Sequence, residues 1–248
     1  MPRTVLVTGA SAGIGAATAL AAAKAGWDVA IGYGRDTAGA EATAAAARAA
    51  GVRAEILQAD LATPDGPARL FAAFDATFDR LDALVNNAGV VDVAARVEEM
   101  DHARLARMFQ INAIAPMLCA GEAVRRMSTR HGGAGGTIVN ISSVAARTGS
   151  ANEYVDYAAS KAAVDTFTKG LSNEVAREGI RVVALRPGLI YTEIHAKGGE
   201  PGRADRLADQ VPMGRVGSPD EIAAGVLWLI SDAASYVTGT TLDISGGR

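Results

Sequence analysis

Thr4-Val5-Leu6-Val7-Thr8-Gly9-Ala10-Ser11-Ala12-Gly13-Ile14-Gly15 stands near the head of the chain, and its reading sets the rest. An apolar run of one strand's length ends in three glycines within seven residues, and an Ala-rich helical stretch, Ile14–Ala25, follows at once. Glycine at a strand-to-helix turn permits a tight reversal and leaves the backbone bare enough for a pyrophosphate to approach. The helix N–H groups then face its charge. The spacing is Gly-x-x-x-Gly-x-Gly rather than the dinucleotide fingerprint Gly-x-Gly-x-x-Gly. An ordinary glycine-rich turn with no ligand remains the alternative at this point.

The same alternation continues outward. Strands are expected at Thr4–Val7, Asp28–Tyr33, Ala54–Gln58, Leu81–Asn86, Thr137–Ile141, Arg181–Arg186 and Thr241–Ile244. Helices are expected at Ile14–Ala25, Thr37–Ala50, Pro64–Phe78, twice within Glu98–Thr129, and at Tyr157–Arg177 and Pro219–Ser231. Strands as apolar as Val182-Val183-Ala184-Leu185 imply burial on both faces, the mark of a parallel sheet covered by helices on each side. The fold class is therefore α/β, a single doubly wound Rossmann-like domain over residues 1–248 with a seven-stranded, mostly parallel sheet. Gly26, Gly51 and Gly179 fall where left-handed helix C-caps belong. Ser218-Pro219-Asp220-Glu221 reads as an N-cap with proline and two acids in the first turn. Gly132-Gly133-Ala134-Gly135-Gly136 reads as a flexible surface connector, and no internal repeat is visible.

Composition narrows the function classes. The 248 residues carry 24 Lys and Arg against 27 Asp and Glu, a net charge of -3 with both signs interspersed, so a nucleic-acid partner is not expected. There are 28 glycines, well above an average share of roughly 7%. The single cysteine, Cys119, excludes an internal disulfide framework and fits a reducing cytoplasm. Met1-Pro2-Arg3 leads straight into Thr4–Val7 with no signal-peptide pattern, and no apolar stretch reaches the roughly 18–20 residues of a membrane span. His102, His131 and His195 are scattered and form no ligand motif, so no metal is expected.

Tyr157-Ala158-Ala159-Ser160-Lys161 opens a long helical stretch, and the four-residue offset puts Tyr157 and Lys161 on one face. A tyrosine with a pKa near 10 is a poor proton carrier at neutrality. Lowering it by roughly 3 units takes about 4 kcal/mol, which one ammonium about 4 Å away supplies at an effective dielectric of about 20. Tyr154 is a decoy, because Ala158 stands where its cationic partner would be. Asn140-Ile141-Ser142-Ser143 ends the fifth strand, and alternation lets only one serine face the crevice.

Thr8-Gly9-Ala10-Ser11-Ala12-Gly13-Ile14-Gly15, Asn86-Asn87-Ala88-Gly89, the Tyr157/Lys161 pair and Arg186-Pro187-Gly188 occur in one order at familiar separations. Together they resemble the short-chain dehydrogenase/reductase family, in particular its 3-oxoacyl carrier protein reductase and glucose dehydrogenase-like members, over essentially the whole chain. The Ser143-to-Tyr157 stretch is one residue longer than in close family members. The resemblance implies catalytic Ser143, Tyr157, Lys161 and Asn112. Ser143 would orient the substrate oxygen, and Asn112 would support the lysine through water. It implies that Gly9, Ser11, Gly13, Ile14, Gly15, Asp60, Leu61, Asn87, Ala88, Gly89, Pro187, Gly188, Ile190 and Thr192 bind a nicotinamide dinucleotide, with Tyr157 and Lys161 at its ribose. It also implies a mobile substrate lid over 193–211, carrying His195, Lys197, Gly198, Gly199, Glu200, Arg203 and Arg206. A homotetramer using the helix after Tyr157 and Tyr236–Arg248 is implied as well.

For the cofactor, Tyr33-Gly34-Arg35-Asp36 puts Arg35 before the acid where a strand-end carboxylate would favour NAD. NADP is therefore expected through a guanidinium–phosphate contact, with NAD the alternative. The expected activity is hydride transfer between NADP(H) and a small carbonyl or alcohol. A sugar-modifying epimerase or dehydratase would need a C-terminal substrate domain for which little chain remains after Arg186. A catalytically silent nucleotide-sensing relative would be expected to lack Ser, Tyr or Lys.

Overall fold

The computed structural model describes residues 2–193 and 198–248, so His195 and Lys197 of the expected lid lie outside the described residues. Among those described, the strands are β1 (Thr4–Thr8), β2 (Asp28–Tyr33), β3 (Ala54–Gln58), β4 (Ala83–Asn86), β5 (Gly136–Ile141), β6 (Ile180–Pro187) and β7 (Thr241–Ile244). They form one sheet in the order β3-β2-β1-β4-β5-β6-β7, parallel at every pairing. The helices are α1 (Gly13–Lys24), α2 (Thr37–Ala49), α3 (Gly66–Asp75), α4 (His102–Phe109), α5 (Ala115–Met127), α6 (Ala145–Thr148), α7 (Val155–Val175), α8 (Arg203–Leu207) and α9 (Pro219–Ile230).

The strands are apolar throughout because both faces are buried. Val5, Val7, Val29, Ile31, Val85, Val139, Val183 and Leu185 pack on α1, α2 and α9, largely through alanines. Their alternates Leu6, Ala30, Leu84, Ile138 and Val182 pack on α3, α5 and α7. Phe71 and Phe74 are fully buried on that second side, each stabilising the fold by about 1.5–3 kcal/mol. Strand order reverses between β1 and β4. Chains leaving the carboxyl ends of those two strands diverge, and the crevice between them is where such sheets bind ligands.

Several boundaries differ from the sequence expectation for physical reasons. The helix expected from Pro64 begins at Gly66, because Thr63 and Gly66 are folded into turns closed by the Asp60 and Thr63 carbonyls. Asp82 stays outside β4, where its carboxylate accepts from Thr4 N at 2.9 Å. Helices α4 and α5 are joined by a π-helical turn, Gln110–Ile114, with no sequence signature. The glycines of 132–136 are a packed crossing rather than a flexible connector. A side chain at Gly135 would lie 2.5 Å from the Gly179 carbonyl oxygen, and one at Gly136 would lie 2.7 Å from Met127 Sδ. By contrast, Gly26, Gly51 and Gly179 take the expected left-handed conformation, and Ser218 and Glu221 form a reciprocal capping box.

Candidate active site

The turn after β1 is tied to the end of β4 by its own side chains. Asn87 Nδ2 donates to the Thr8 and Gly9 carbonyls at 2.9 and 3.1 Å. The Asn87 and Ala88 N–H groups both donate to Thr8 Oγ1 at 3.0 Å. Gly9 and Gly13 have φ of +65° and +56°, open to glycine at little cost. A side chain at Gly15 would collide with the Gly9 carbonyl oxygen and lie 2.5 Å from Asn87 Nδ2. Helix α1 has Ala12 at its N-cap and no side-chain cap, whereas Asp36, Asp101 and Ser218 cap α2, α4 and α9. The first N–H groups of α1 are left for an anion, and the bare backbone lets one approach, so this turn fits a dinucleotide phosphate.

From this turn a crevice of about 730 Å³ runs along the carboxyl edge of the sheet, within the size range of cofactor sites. Of the site residues expected from sequence, all but two line it. Gly15 lies behind the turn as a packing glycine. Asn112 is buried in the π-helical turn, where its Oδ1 accepts from Val90 N at 2.8 Å. Its Nδ2 donates to Val90 O at 2.9 Å, Ser160 Oγ at 3.2 Å and Met108 Sδ at 3.0 Å. Asn112 therefore staples the loop after β4 to α7.

Tyr157, Ser143 and Lys161 converge at the far end. Ser143 faces the crevice, and its Oγ accepts from Ala145 N at 3.1 Å. Ser142 is buried and donates toward the Lys161 carbonyl at 3.3 Å, yet it also lines the crevice; both serines follow the end of β5 at Ile141, so it is burial and this hydrogen bond, not the expected strand alternation, that distinguish them. Lys161 Nζ lies 5.7 Å from the centre of the Tyr157 ring and donates to the Ile141 carbonyl at 2.8 Å. In the protein alone the tyrosine is not driven downward as the helix spacing predicts. Burial pushes the Tyr157 phenol above its ordinary value, with the Ser143 hydroxyl acting in the opposite direction. Burial also depresses Lys161 to about 8, against a smaller upward pull from Asp165. The spacing is right, but burial sets the direction of both shifts.

That depressed lysine has a consequence for stability. Between about 8 and its ordinary value of 10.5 the unfolded chain still holds a proton that the folded chain has released. Stability from this group therefore rises with pH through that window, while below it the penalty is full, about 3 kcal/mol. Lys161→Met removes the penalty. Its unfolding free energy in urea, relative to the parent, is expected to fall by up to about 3 kcal/mol as pH rises from 7 to 10.5. A difference that stays flat or grows with pH would contradict this.

Sequence reasoning missed two supports of the tyrosine. Arg104 on α4 donates to the buried Asp156 carboxylate at 2.8 Å and to the Val93 carbonyl at 2.9 Å, while Asp156 Oδ1 accepts from Tyr157 N at 2.9 Å. Ser160 Oγ donates to the Tyr157 carbonyl at 2.7 Å and accepts from Asn112. The acidic residue in the first turn of α7 was the only local signal. The stretch between Ser143 and Tyr157 contains α6 and two non-glycine left-handed residues, Ser150 and Asn152.

At the opposite end, the Asp36 carboxylate accepts from Gly39 N at 2.9 Å as the cap of α2. The Arg35 side chain is 90% exposed, with Asp60 at 3.7 Å. In the described part of the expected lid, Leu207 and Ala204 of α8 and Val211 pack with Leu189 and Val216 in a small separate cluster.

Residues 9–248 match a family model described as enoyl-(acyl carrier protein) reductase. The chain is 50% identical over 243 residues to the uncharacterised oxidoreductase YgfF of Escherichia coli, covering 98% of each. It is 32% identical, with a TM-score of 0.90, to a short-chain dehydrogenase from Burkholderia cenocepacia solved in complex with NADP, covering 99% of this chain and 97% of that one. A 3-ketoacyl-(acyl-carrier-protein) reductase from Brucella melitensis complexed with NADH shares 32% identity, with a TM-score of 0.89 and coverage of 99% and 98%. The chain belongs to the short-chain dehydrogenase/reductase family and is an oxidoreductase.

Proposed function

We propose that the protein is an NADP(H)-dependent carbonyl reductase and alcohol dehydrogenase acting on a small carbonyl or alcohol. The carrying observation is that Tyr157, Ser143 and Lys161 converge on the crevice that begins at the uncapped head of α1. The bound nicotinamide nucleotide supplies or accepts the hydride. Ser143 Oγ hydrogen-bonds the substrate oxygen and stabilises charge developing there. Tyr157 Oη gives that oxygen its proton in reduction and takes it back in oxidation. Lys161 holds its ammonium beside the tyrosine ring, and Asn112 supports the relay by fixing Val90 and Ser160. Turnover of NADPH with a carbonyl panel, and of NADP with the matching alcohols, tests the reading; no cofactor turnover with any member would sink it.

The preference for NADP rests on the two residues after β2. Asp36 is committed to capping α2, which removes the carboxylate that would bind a ribose 2′-hydroxyl and repel a 2′-phosphate. Arg35 is exposed and held only by a 3.7 Å pair with Asp60, and a guanidinium–phosphate pair is a strong charge-assisted contact. We expect kcat/KM to favour NADPH over NADH by about tenfold or more, and Arg35→Ala to remove about tenfold of it. A parent preferring NADH tenfold would reverse the assignment.

The reading includes 193–211 as a substrate lid, hinged on its glycines and anchored by the cluster around Leu207. A homotetramer also belongs to it, supported by a fully exposed Tyr236 and a part-exposed Trp228 beside the C-terminal strand. Cytoplasmic residence, suggested by the lone Cys119, is part of the same reading.

A further inference from the structure

We propose that Asp165 is a positioning residue, a fixed carboxylate one turn along α7 that keeps the Lys161 amine in its charged form. That this charge serves turnover rests on the oxidoreductase reading above; that Asp165 holds it does not. A four-residue offset puts the two side chains on one face of α7, with Cβ atoms roughly 5–6 Å apart. Both groups are shielded from water, Lys161 being 4% exposed and the Asp165 side chain 12%. The Lys161 ammonium has three protons to give, and it donates one to the Ile141 carbonyl at 2.8 Å.

The grip on Asp165 is lopsided. Arg186, next to Pro187 at the end of β6, closes both Nε and Nη2 on a single oxygen, Oδ2, at 2.9 and 2.8 Å. Oδ1 is shut away from solvent and has no hydrogen-bond partner among the described residues. Arg186 is also pulled by Asp243, its register neighbour on β7, at 3.4 Å. The arginine is thus shared between two carboxylates, and the charge on Oδ1 is left to act through space inside the protein. A buried charge is costly unless a counter-charge stands near. Lys161 is the buried cation on that face, whereas Lys169, one turn to the other side, is exposed. Burial pulls the proton off Lys161, and Asp165 acts in the opposite direction.

Among the described residues, no other carboxylate is placed to do the same. Asp156, in the first turn of α7, is closed on Arg104 of α4, and Tyr157 keeps its phenol proton. Asp243 is divided between Arg186 and Arg147 of α6, the latter at 3.2 Å. On α5, Glu122 is taken by Arg125 and Arg126, and burial pushes the Cys119 thiol up to about 12, so it stays neutral. The end of β5 and the loop after β4 bring the Ile141 carbonyl and Gly89, which do not ionise.

Asp165→Asn and Arg186→Gln disturb the same pair, yet they change the charge beside Lys161 in opposite senses. The lysines of the chain are Lys24, Lys161, Lys169 and Lys197, so a 13C-lysine NMR titration of the whole protein gives few signals, and Lys161→Met identifies the one that matters. The Lys161 signal should titrate near 8 in the parent. Its midpoint should fall by about one pH unit in Asp165→Asn and rise in Arg186→Gln, where the carboxylate loses its partner. If Asp165 merely fastened β6 to α7, both variants would move the midpoint the same way or leave it alone, and either result overturns the proposal. In carbonyl reduction, kcat/KM for NADPH reports the free enzyme. For Asp165→Asn it should be about fivefold below the parent at pH 8 and within about twofold at pH 6. An equal loss at both pH values, or none at either, would also overturn it. If circular dichroism shows Asp165→Asn unfolded, the direction of the Arg186→Gln titration decides. Failure of the oxidoreductase reading looks different: the two midpoints shift as expected, yet no carbonyl or alcohol on the wider panel turns over.

Discussion

Tyr157→Phe is expected to fold, bind cofactor within about threefold of the parent, and lose about 10³-fold in kcat. The change deletes one phenolic oxygen and leaves the ring, so the packing of α7 and the ring's contact with Lys161 survive. Ser143 Oγ keeps its bond from Ala145 N and is not orphaned. What goes is the only group in the proposed relay that can hand a proton to the substrate oxygen. Positioned acid–base catalysis is worth about 10²–10⁴-fold, and 10³-fold corresponds to about 4 kcal/mol of barrier. Direction matters too. Burial holds the Tyr157 phenol above its ordinary pKa, so it is protonated at neutrality and ready to donate in reduction. Alcohol oxidation needs the phenolate and should rise steeply with pH, whereas carbonyl reduction should not. Steady-state kinetics with cofactor titration separates these effects. A variant within tenfold of parent kcat would falsify the assigned role.

The elements legible in the sequence are those whose signal is local. Val5-Leu6-Val7 and Val182 to Leu185 read as strands because burial on both faces leaves no polar positions to confuse the pattern. Gly26, Gly51, Gly179 and Ser218 marked helix ends because capping is decided by a few neighbouring residues. The Tyr157/Lys161 face was legible for the same reason, since a four-residue offset is a property of the helix itself. What could not be read depends on distant chain. Gly135 resembles linker glycine until Gly179 is seen against it. The sign of the Tyr157 shift is set by burial under the crevice walls, which no local spacing records. Arg203 sat in a polar stretch of ordinary appearance, and only Glu153, Tyr154 and Glu200 around it reveal a half-satisfied guanidinium.

Gly15→Ala is expected to raise the cofactor Kd by about 100-fold or more and to lower Tm by about 5–10 °C. The added methyl would collide with the Gly9 carbonyl oxygen, which cannot rotate away as a flexible side chain would. To admit it, α1 must back away or the turn must open. Either movement stretches the Asn87 bonds to the Thr8 and Gly9 carbonyls, which tie the turn to β4. Overpacking costs about 1–3 kcal/mol and each weakened hydrogen bond about 1 kcal/mol. In a chain of this size each 1 kcal/mol moves Tm by about 2–4 °C. The loss in affinity is the larger effect because the α1 N–H groups must converge on one phosphate, and a small displacement spoils all of them together. Gly121→Ala in α5 is the control, since among the described residues nothing beyond its own helix lies within 4 Å of a methyl added there, which leaves helix propensity to act. It should leave Kd unchanged and Tm equal or higher. Nucleotide titration and thermal unfolding of both variants read the outcome. Normal affinity in Gly15→Ala would mean that the turn is not the phosphate site, and the crevice would need another occupant.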